Sequence, residues 1–124
     1  MIGRRWIAPL LWALITLAIS SIPMPAISAP PGADKGVHWI LYFVLGILSA
    51  RAVLSDRNAR VGELLAVLAA ILVFAALDEL HQVWIPGRTV EFRDWVADAI
   101  GSLCGITLAL VLARRRAPRA PRAP

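Results

Sequence analysis

The sequence predicts an all-α membrane protein: a bundle of four transmembrane helices with both termini in the cytoplasm. The first observation is that 59% of the 124 residues are apolar and the mean hydropathy is +0.70, well above the values of soluble domains. The second is that charged residues make up only 17% and fall in short segments between four apolar runs. The third is that ten of the thirteen Lys and Arg residues flank these runs on one side.

The four apolar runs give the predicted helices in order, at residues 6–22, 37–54, 61–77 and 95–113. Each is close to the length of about 20 residues that crosses roughly 30 Å of hydrocarbon. None shows strand-like alternation, and backbone groups in lipid have no water to bond, so a helix is expected for each run. Prolines separate the first two runs, and Pro86-Gly87 marks a turn between the last two.

The N-terminal segment has a second interpretation. Arg4 and Arg5, the apolar stretch 7–19 and the small-residue sequence 26–29 also match a cleavable signal peptide. Cleavage would remove the first helix and leave the topology of the others unchanged. The length of the run and the presence of Trp12 favour a retained helix.

The basic character of the chain is a topology signal. The net charge is +5 and the sequence pI about 11.0, but the excess sits beside the apolar runs, where it suits anionic lipid headgroups. A nucleic-acid partner would need a basic face on a soluble domain, so none is expected. Residues 1–113 form the predicted membrane domain. Residues 114–124 contain only Arg, Ala and Pro and predict a disordered cytoplasmic tail.

Acidic and histidine side chains collect on the side opposite to most of the arginines. Ionisable groups are costly near a membrane and indicate either function or tight internal pairing. Six of the eight carboxylates and both histidines belong to this set: Asp34, Asp78, Glu79, Glu91, Asp94, Asp98, His38 and His81.

The second predicted helix carries one polar stripe. Asp34, His38 and Tyr42 are spaced four residues apart and share a helix face next to Lys35. Such a stripe faces a ligand or forms part of a proton path. Alternatively, Asp34 caps the helix while the other two form hydrogen bonds across the bundle.

The third predicted helix ends in Asp78, Glu79 and Gln82. Two adjacent carboxylates repel, so one is expected to be protonated, to face water, or to pair with Arg88 or His81. Adjacent helical positions point about 100° apart, which argues against a dyad sharing one proton.

The fourth predicted helix places Asp94, Asp98, Gly101 and Gly105 on one face. The two glycines allow close helix packing, expected against the second helix near Gly46 and Ala50. Asp98 lies about one turn inside the helix, where it either serves a site or pairs with a basic residue.

No cofactor is expected from these motifs. His38, His81, Asp78 and Glu79 offer nitrogen and oxygen ligands, but no HExxH motif or Cys/His cluster accompanies them, so no metal site is predicted. The chain also has no Gly-rich phosphate loop and no GxSxG nucleophile elbow.

Three polar motifs together resemble a known family. They are Asp34-Lys35-x-x-His38-x-x-x-Tyr42-x-x-Leu45-Gly46, Asp78-Glu79-x-x-Gln82-x-x-x-Pro86-Gly87-Arg88 and Asp94-x-x-x-Asp98-x-x-Gly101-x-x-x-Gly105. This combination resembles the VanZ-like family of bacterial membrane proteins and extends from Asp34 to Gly105. The chain departs from the family at Asp98, where an Asn is usual, and so carries an additional titratable group.

The resemblance implies a four-helix, multi-pass protein of the bacterial inner membrane and cell envelope. The family is named for a member linked to resistance against the lipoglycopeptide teicoplanin. The resemblance therefore implies a location, a site and a possible tie to antibiotic resistance, and it leaves the reaction open.

Our first hypothesis is a polar pocket that faces outward and binds an amphiphilic envelope molecule, such as a lipid-linked cell-wall precursor or a glycolipid. Lys35 and Arg88 would hold an anionic headgroup, while the tails stay in the surrounding membrane lipids. The alternatives are a lipid-modifying enzyme using His38 or His81, a proton-linked transporter, and a structural or assembly protein. The predicted pocket residues are Asp34, Lys35, His38, Tyr42, Asp78, Glu79, Gln82, Arg88, Asp94 and Asp98.

Overall fold

The described part of the chain is mostly helical, with short loops between the helices. The computed structural model describes residues 3–23 and 32–116, and these contain no strand, which confirms the all-α part of the predicted fold class. The possible cleavage sequence 26–29 and tail residues 117–124 lie outside the described residues. The elements are a 3₁₀ turn at Arg4–Trp6, α1 at Ile7–Ser20, α2 at Ala33–Leu54, α3 at Val61–His81, a 3₁₀ turn at Gln82–Trp84 and α4 at Phe92–Arg116.

Three of the helices are long and apolar enough to cross a membrane. They are α2 with 22 residues, α3 with its following 3₁₀ turn with 24, and α4 with 25. Helix α1 has 14 residues and covers about 21 Å at 1.5 Å per residue, less than the roughly 30 Å of a hydrocarbon core. Length and composition therefore support three spans, with the shorter α1 packed beside them.

The helices differ from the apolar runs mainly at their ends. Helix α2 begins at Ala33 instead of residue 37, and α4 extends to Arg116 instead of residue 113. A run of apolar residues ends, by definition, at the first charged residue, whereas a helix can continue through charged residues at its ends. Asp34 in the first turn of α2 and the arginines in the last turn of α4 complement the helix dipole and favour longer helices.

Helices α2 and α4 form the closest contact of the bundle. A Cβ atom built on Gly101 would meet the carbonyl oxygen of Trp39, and one on Gly105 would meet that of Phe43. Because residue numbers rise together along this contact, α2 and α4 run parallel. The absence of side chains on these glycines lets the two backbones touch.

Gly46 completes this contact from the other helix. A Cβ atom on Gly46 would meet the backbone of Ser102. The expected approach near Gly46 and Ala50 is therefore displaced toward the start of α2. Ala50 is fully buried in the apolar core of the bundle.

An ion pair shows which helix ends lie together. The Arg5 guanidinium is 3.2 Å from the Asp56 carboxylate, which brings the start of α1 to the loop between α2 and α3. We call the end formed by residues 3–6, 51–63 and 113–116 the basic end. The opposite end, formed by residues 20–23, 32–42, 78–95 and 98, is the polar end.

The Asp56 carboxylate gives a pH-dependent signal at the basic end. The backbone N–H of Asn58 and, second, the Arg5 guanidinium donate to it and hold its pKa below the ordinary value. Its contribution to stability is therefore present above the unfolded-state pKa and is lost as the pH falls through the folded-state pKa. In an NMR titration, Arg5→Gln should raise the Asp56 pKa only part of the way to its ordinary value, because the Asn58 N–H remains. A full return would contradict this assignment.

Candidate functional site

The innermost polar contact joins α2 to α4. His38 Nδ1 and Asp98 Oδ1 share a hydrogen bond at 3.0 Å, with 4% and 1% of the two side chains exposed. Both residues lie on the faces where helical spacing puts them, one turn inside their helices. A buried pair of this kind fixes the two side chains in position and, because its desolvation is costly, adds little net stability.

A second contact joins three helices. The hydroxyl groups of Ser20 on α1 and Tyr42 on α2 both donate to Asp78 Oδ2 on α3, at 2.8 and 3.2 Å. Tyr42 and Asp78 are almost fully buried. Asp78 therefore connects α1, α2 and α3 through one carboxylate oxygen.

Lys35 forms ion pairs with three carboxylates at the outer rim of the polar end. Its ammonium lies 2.9 Å from Glu91, 3.0 Å from Asp94 and 3.3 Å from Asp34. Three carboxylates surround one cation, so the positive charge of Lys35 is already offset within the chain.

Glu79 lies between these groups, near the start of α4. Its Oε1 accepts a hydrogen bond of 2.6 Å from the backbone N–H of Glu91. The carboxylate is close enough to His38, Asp94 and Asp98 to interact with them electrostatically. Glu79 therefore belongs to the same acidic cluster, although its main partner is a backbone group.

Arg88 is positioned by a turn. Pro86 and Gly87 occupy the central positions, Gly87 has φ of +77°, and the Arg88 N–H donates to the Ile85 carbonyl at 3.1 Å. These features are those of a type II turn, which needs a positive φ at its third residue. The Arg88 side chain donates to the carbonyls of Ile19 and Ile22 and so caps the end of α1.

Several buried polar atoms of the cluster have no partner among residues 3–23 and 32–116. They are Asp78 Oδ1, Glu79 Oε2, Asp98 Oδ2 and Gln82 Nε2. Buried polar groups in native proteins are nearly always hydrogen-bonded. Three unmet carboxylate oxygens on neighbouring side chains favour a ligand or water that donates hydrogen bonds.

An apolar groove lies between α3 and α4, beside Glu79. Its volume is about 370 Å³, and apart from Glu79 its walls are the apolar side chains of Ala76, Leu80, Val90, Phe92 and Trp95. Phe92 is 74% exposed and Leu80 is 55% exposed, so the groove is open on the outside of the bundle. Glu79 is only 5% exposed, so the open surface of the groove is apolar and suits the apolar part of an amphiphile.

Nine of the ten predicted pocket residues come together at the polar end. His38, Tyr42, Asp78, Glu79, Gln82, Asp94 and Asp98 are buried, while Asp34 and Lys35 form the rim. Arg88 lies at the same end, but its side chain contacts backbone carbonyls at the end of α1 instead of the carboxylates of the cluster. Of the alternatives considered for Asp78 and Glu79, an ion pair with Arg88 does not occur among the described residues.

One comparison with known proteins gives a match. The sequence model of the VanZ/LLP1 family matches residues 6–113, which is most of the chain. The chain belongs to the VanZ/LLP1 family. No curated protein and no solved structure matches it.

The VanZ/LLP1 match includes every element that builds the polar cluster, from α1 to α4. It therefore confirms the family that the three motifs indicated. Asp98, where the resemblance leads to an expected Asn, is the group that pairs with His38 in this VanZ/LLP1 protein.

Two residues that contact the cluster, Ser20 and Glu91, are not among the ten predicted pocket residues. Ser20 is an ordinary serine at the end of an apolar helix, and only the packing of α1 brings it to Asp78. Glu91 was counted among the acidic residues of this side, but its contact with Lys35 depends on the path of the loop. Neither has a spacing signal in the VanZ/LLP1 motifs.

The contacts bear on the chemistry open to this VanZ/LLP1 protein. Among the described residues, neither histidine is hydrogen-bonded to a hydroxyl or thiol that it would activate as a nucleophile. In the same part of the chain no three Asp, Glu, His or Cys side chains are placed to share a metal ion.

Proposed function

We propose that this VanZ/LLP1 family protein spans the bacterial inner membrane four times and binds an amphiphilic envelope molecule at its polar end, which faces outward. The ligand is a lipid whose headgroup donates hydrogen bonds, such as the sugar hydroxyls of a glycolipid or a lipid-linked cell-wall precursor. The unmet oxygens of Asp78, Glu79 and Asp98 carry this proposal.

The energetic reason lies in the burial of these oxygens. A buried acceptor without a partner costs about 1–3 kcal/mol, and more when it is charged. A ligand that supplies O–H or N–H donors removes this cost on binding. An anionic headgroup would instead meet an excess of carboxylates.

The two basic residues have different roles in ligand binding. Three carboxylates surround the Lys35 ammonium and offset its charge, so Lys35 is not expected to bind a phosphate well. Arg88 uses Nε and one terminal nitrogen on carbonyl groups, which leaves donors for a phosphate next to the sugar. A lipid-linked saccharide would satisfy both the acidic cluster and Arg88.

The orientation rests on charge. Arginines collect at the basic end, and the positive-inside rule assigns that end, with both termini, to the cytoplasm. The 3₁₀ turn at Arg4–Trp6 lengthens α1 enough to reach most of the way across the bilayer as a fourth span.

Native mass spectrometry of the protein extracted with its lipids tests the proposal. We expect a retained glycolipid or lipid-linked saccharide, and Glu79→Gln should lower its retention about tenfold, because it removes a charged acceptor. The matched control is Glu63→Gln, an exposed carboxylate at the basic end that should leave retention unchanged.

Arg88→Gln separates the headgroup classes. It should weaken retention only if the ligand also carries a phosphate or carboxylate. In a susceptible host, the parent protein should change teicoplanin sensitivity more than the Glu79→Gln variant, in line with the resistance link that the resemblance implies. Equal lipid retention by the parent and Glu79→Gln would overturn the binding proposal.

That result would favour the alternative that the protein has a structural or assembly role. Its specific support is the Asp78 carboxylate, which already connects α1, α2 and α3 through Ser20 and Tyr42. In that case the polar cluster would serve only to hold the helices in register.

A further inference from the structure

A second groove lies at the basic end, which is the end of the bundle opposite to the acidic cluster. It lies between the last turns of α2 and α4 and has a volume of about 250 Å³. Its lining includes two arginines and several apolar side chains: Arg51, Arg116, Ile47, Leu54, Leu112 and Ala113. The proposed function makes no use of it.

The two helices place the arginines on the same groove. Ile47 and Arg51 are one turn apart on α2, and Leu112 and Arg116 are one turn apart on α4. Since α2 and α4 run parallel, each side of the groove is apolar toward the middle of the membrane and cationic toward its edge. The order of these side chains matches the order of tail and headgroup in a phospholipid.

The arginines are available to a ligand. Neither Arg51 nor Arg116 has a carboxylate partner among residues 3–23 and 32–116, and both are exposed. The ends of α2 and α4 carry about half a negative charge each, which opposes an anion. Two full positive charges in the groove, with Arg114 and Arg115 next to it, exceed that opposition.

We infer that this groove binds an anionic phospholipid of the surrounding membrane. The phosphate lies between Arg51 and Arg116, whose guanidinium groups donate paired hydrogen bonds to phosphate oxygens. One acyl chain lies along Ile47 and Leu112. The small side chain of Ala113 leaves the space that the chain occupies.

Native mass spectrometry of the full chain in detergent tests the inference. Phosphatidylglycerol and phosphatidylcholine with the same acyl chains are titrated in parallel. The parent should retain phosphatidylglycerol preferentially, and the Arg51→Gln, Arg116→Gln double variant should lose roughly 10- to 30-fold of that retention, given the usual contribution of each arginine near a membrane surface.

The control has the same change in net charge. Arg57→Gln with Arg60→Gln removes two arginines of the α2–α3 loop that do not line the groove. It should change phosphatidylglycerol retention less than twofold. Equal losses in the two double variants would overturn the site in favour of diffuse surface attraction. Far-UV circular dichroism and elution volume confirm that each variant folds.

Two further measurements test the acyl-chain part. Ala113→Leu fills the space that the acyl chain would occupy, without changing the charge, and should therefore lower lipid retention. Because Ala113 is exposed, its replacement disturbs no core contact and the variant should fold normally. Excess glycerol phosphate should fail to displace the lipid. Displacement by glycerol phosphate, or full retention by Ala113→Leu, would overturn the lipid site. Because the residues differ, the glycolipid test at Glu79 has its own independent outcome.

Discussion

Replacing Asp98 with leucine should lower the free energy of unfolding by about 3–5 kcal/mol, because it leaves the buried His38 imidazole without its partner. Removing one member of a buried pair leaves the other polar group buried without its hydrogen-bond partner. Reversible unfolding in mixed micelles, followed by tryptophan fluorescence, measures the loss.

A double variant separates pairing from packing. His38→Leu with Asp98→Leu should be more stable than Asp98→Leu alone, because both polar groups are then gone. Asp98→Asn keeps a hydrogen-bonding side chain of similar shape and should cost much less than leucine. A double variant as unstable as the sum of the two single variants would show that the residues do not act as a pair.

Gly105→Val should be the second most damaging change. The first atom of the new side chain would meet the Phe43 carbonyl, and a backbone neighbour cannot turn aside as a flexible side chain does. Overpacking usually costs about 1–3 kcal/mol, and we expect the upper part of that range. The same unfolding assay measures it.

Gly36 supplies the matched control for this change. It lies in α2, and a Cβ atom built on it meets nothing within 4 Å. Gly36→Val should be close to neutral, because the space around Gly36 is open and valine has no lower helix propensity than glycine. Equal destabilisation by both variants would contradict the close contact between α2 and α4.

Most of the fold can be predicted, because the number and the positions of the helices follow from where apolar residues lie along the sequence. Four apolar runs and the side on which the arginines lie gave the helices and their order. The helix ends were less predictable. Asp34 and Arg116 look like boundaries in an apolar count, but their charges complement the helix dipole and extend α2 and α4.

The site was predictable where helical spacing decides position. Helical spacing predicts that His38 shares a face with Tyr42 and that Asp94 shares a face with Asp98, and the structure buries all four side chains. Pairings across helices were not predictable. Asp98 meets His38 instead of a basic residue, and Arg88 meets backbone carbonyls, because both contacts depend on helix rotation and on the loop after α3.

The parallel contact between α2 and α4 has a consequence for biosynthesis. Parallel neighbours cannot be joined by a short turn, so α3 must cross the membrane before α4 reaches α2. Until α4 emerges from the ribosome, His38 lacks Asp98, and Lys35 lacks both Glu91 and Asp94. Chains truncated before α4 should therefore expose unpaired ionisable groups to lipid and be removed by membrane proteases, whereas the finished chain completes these contacts only with its last helix.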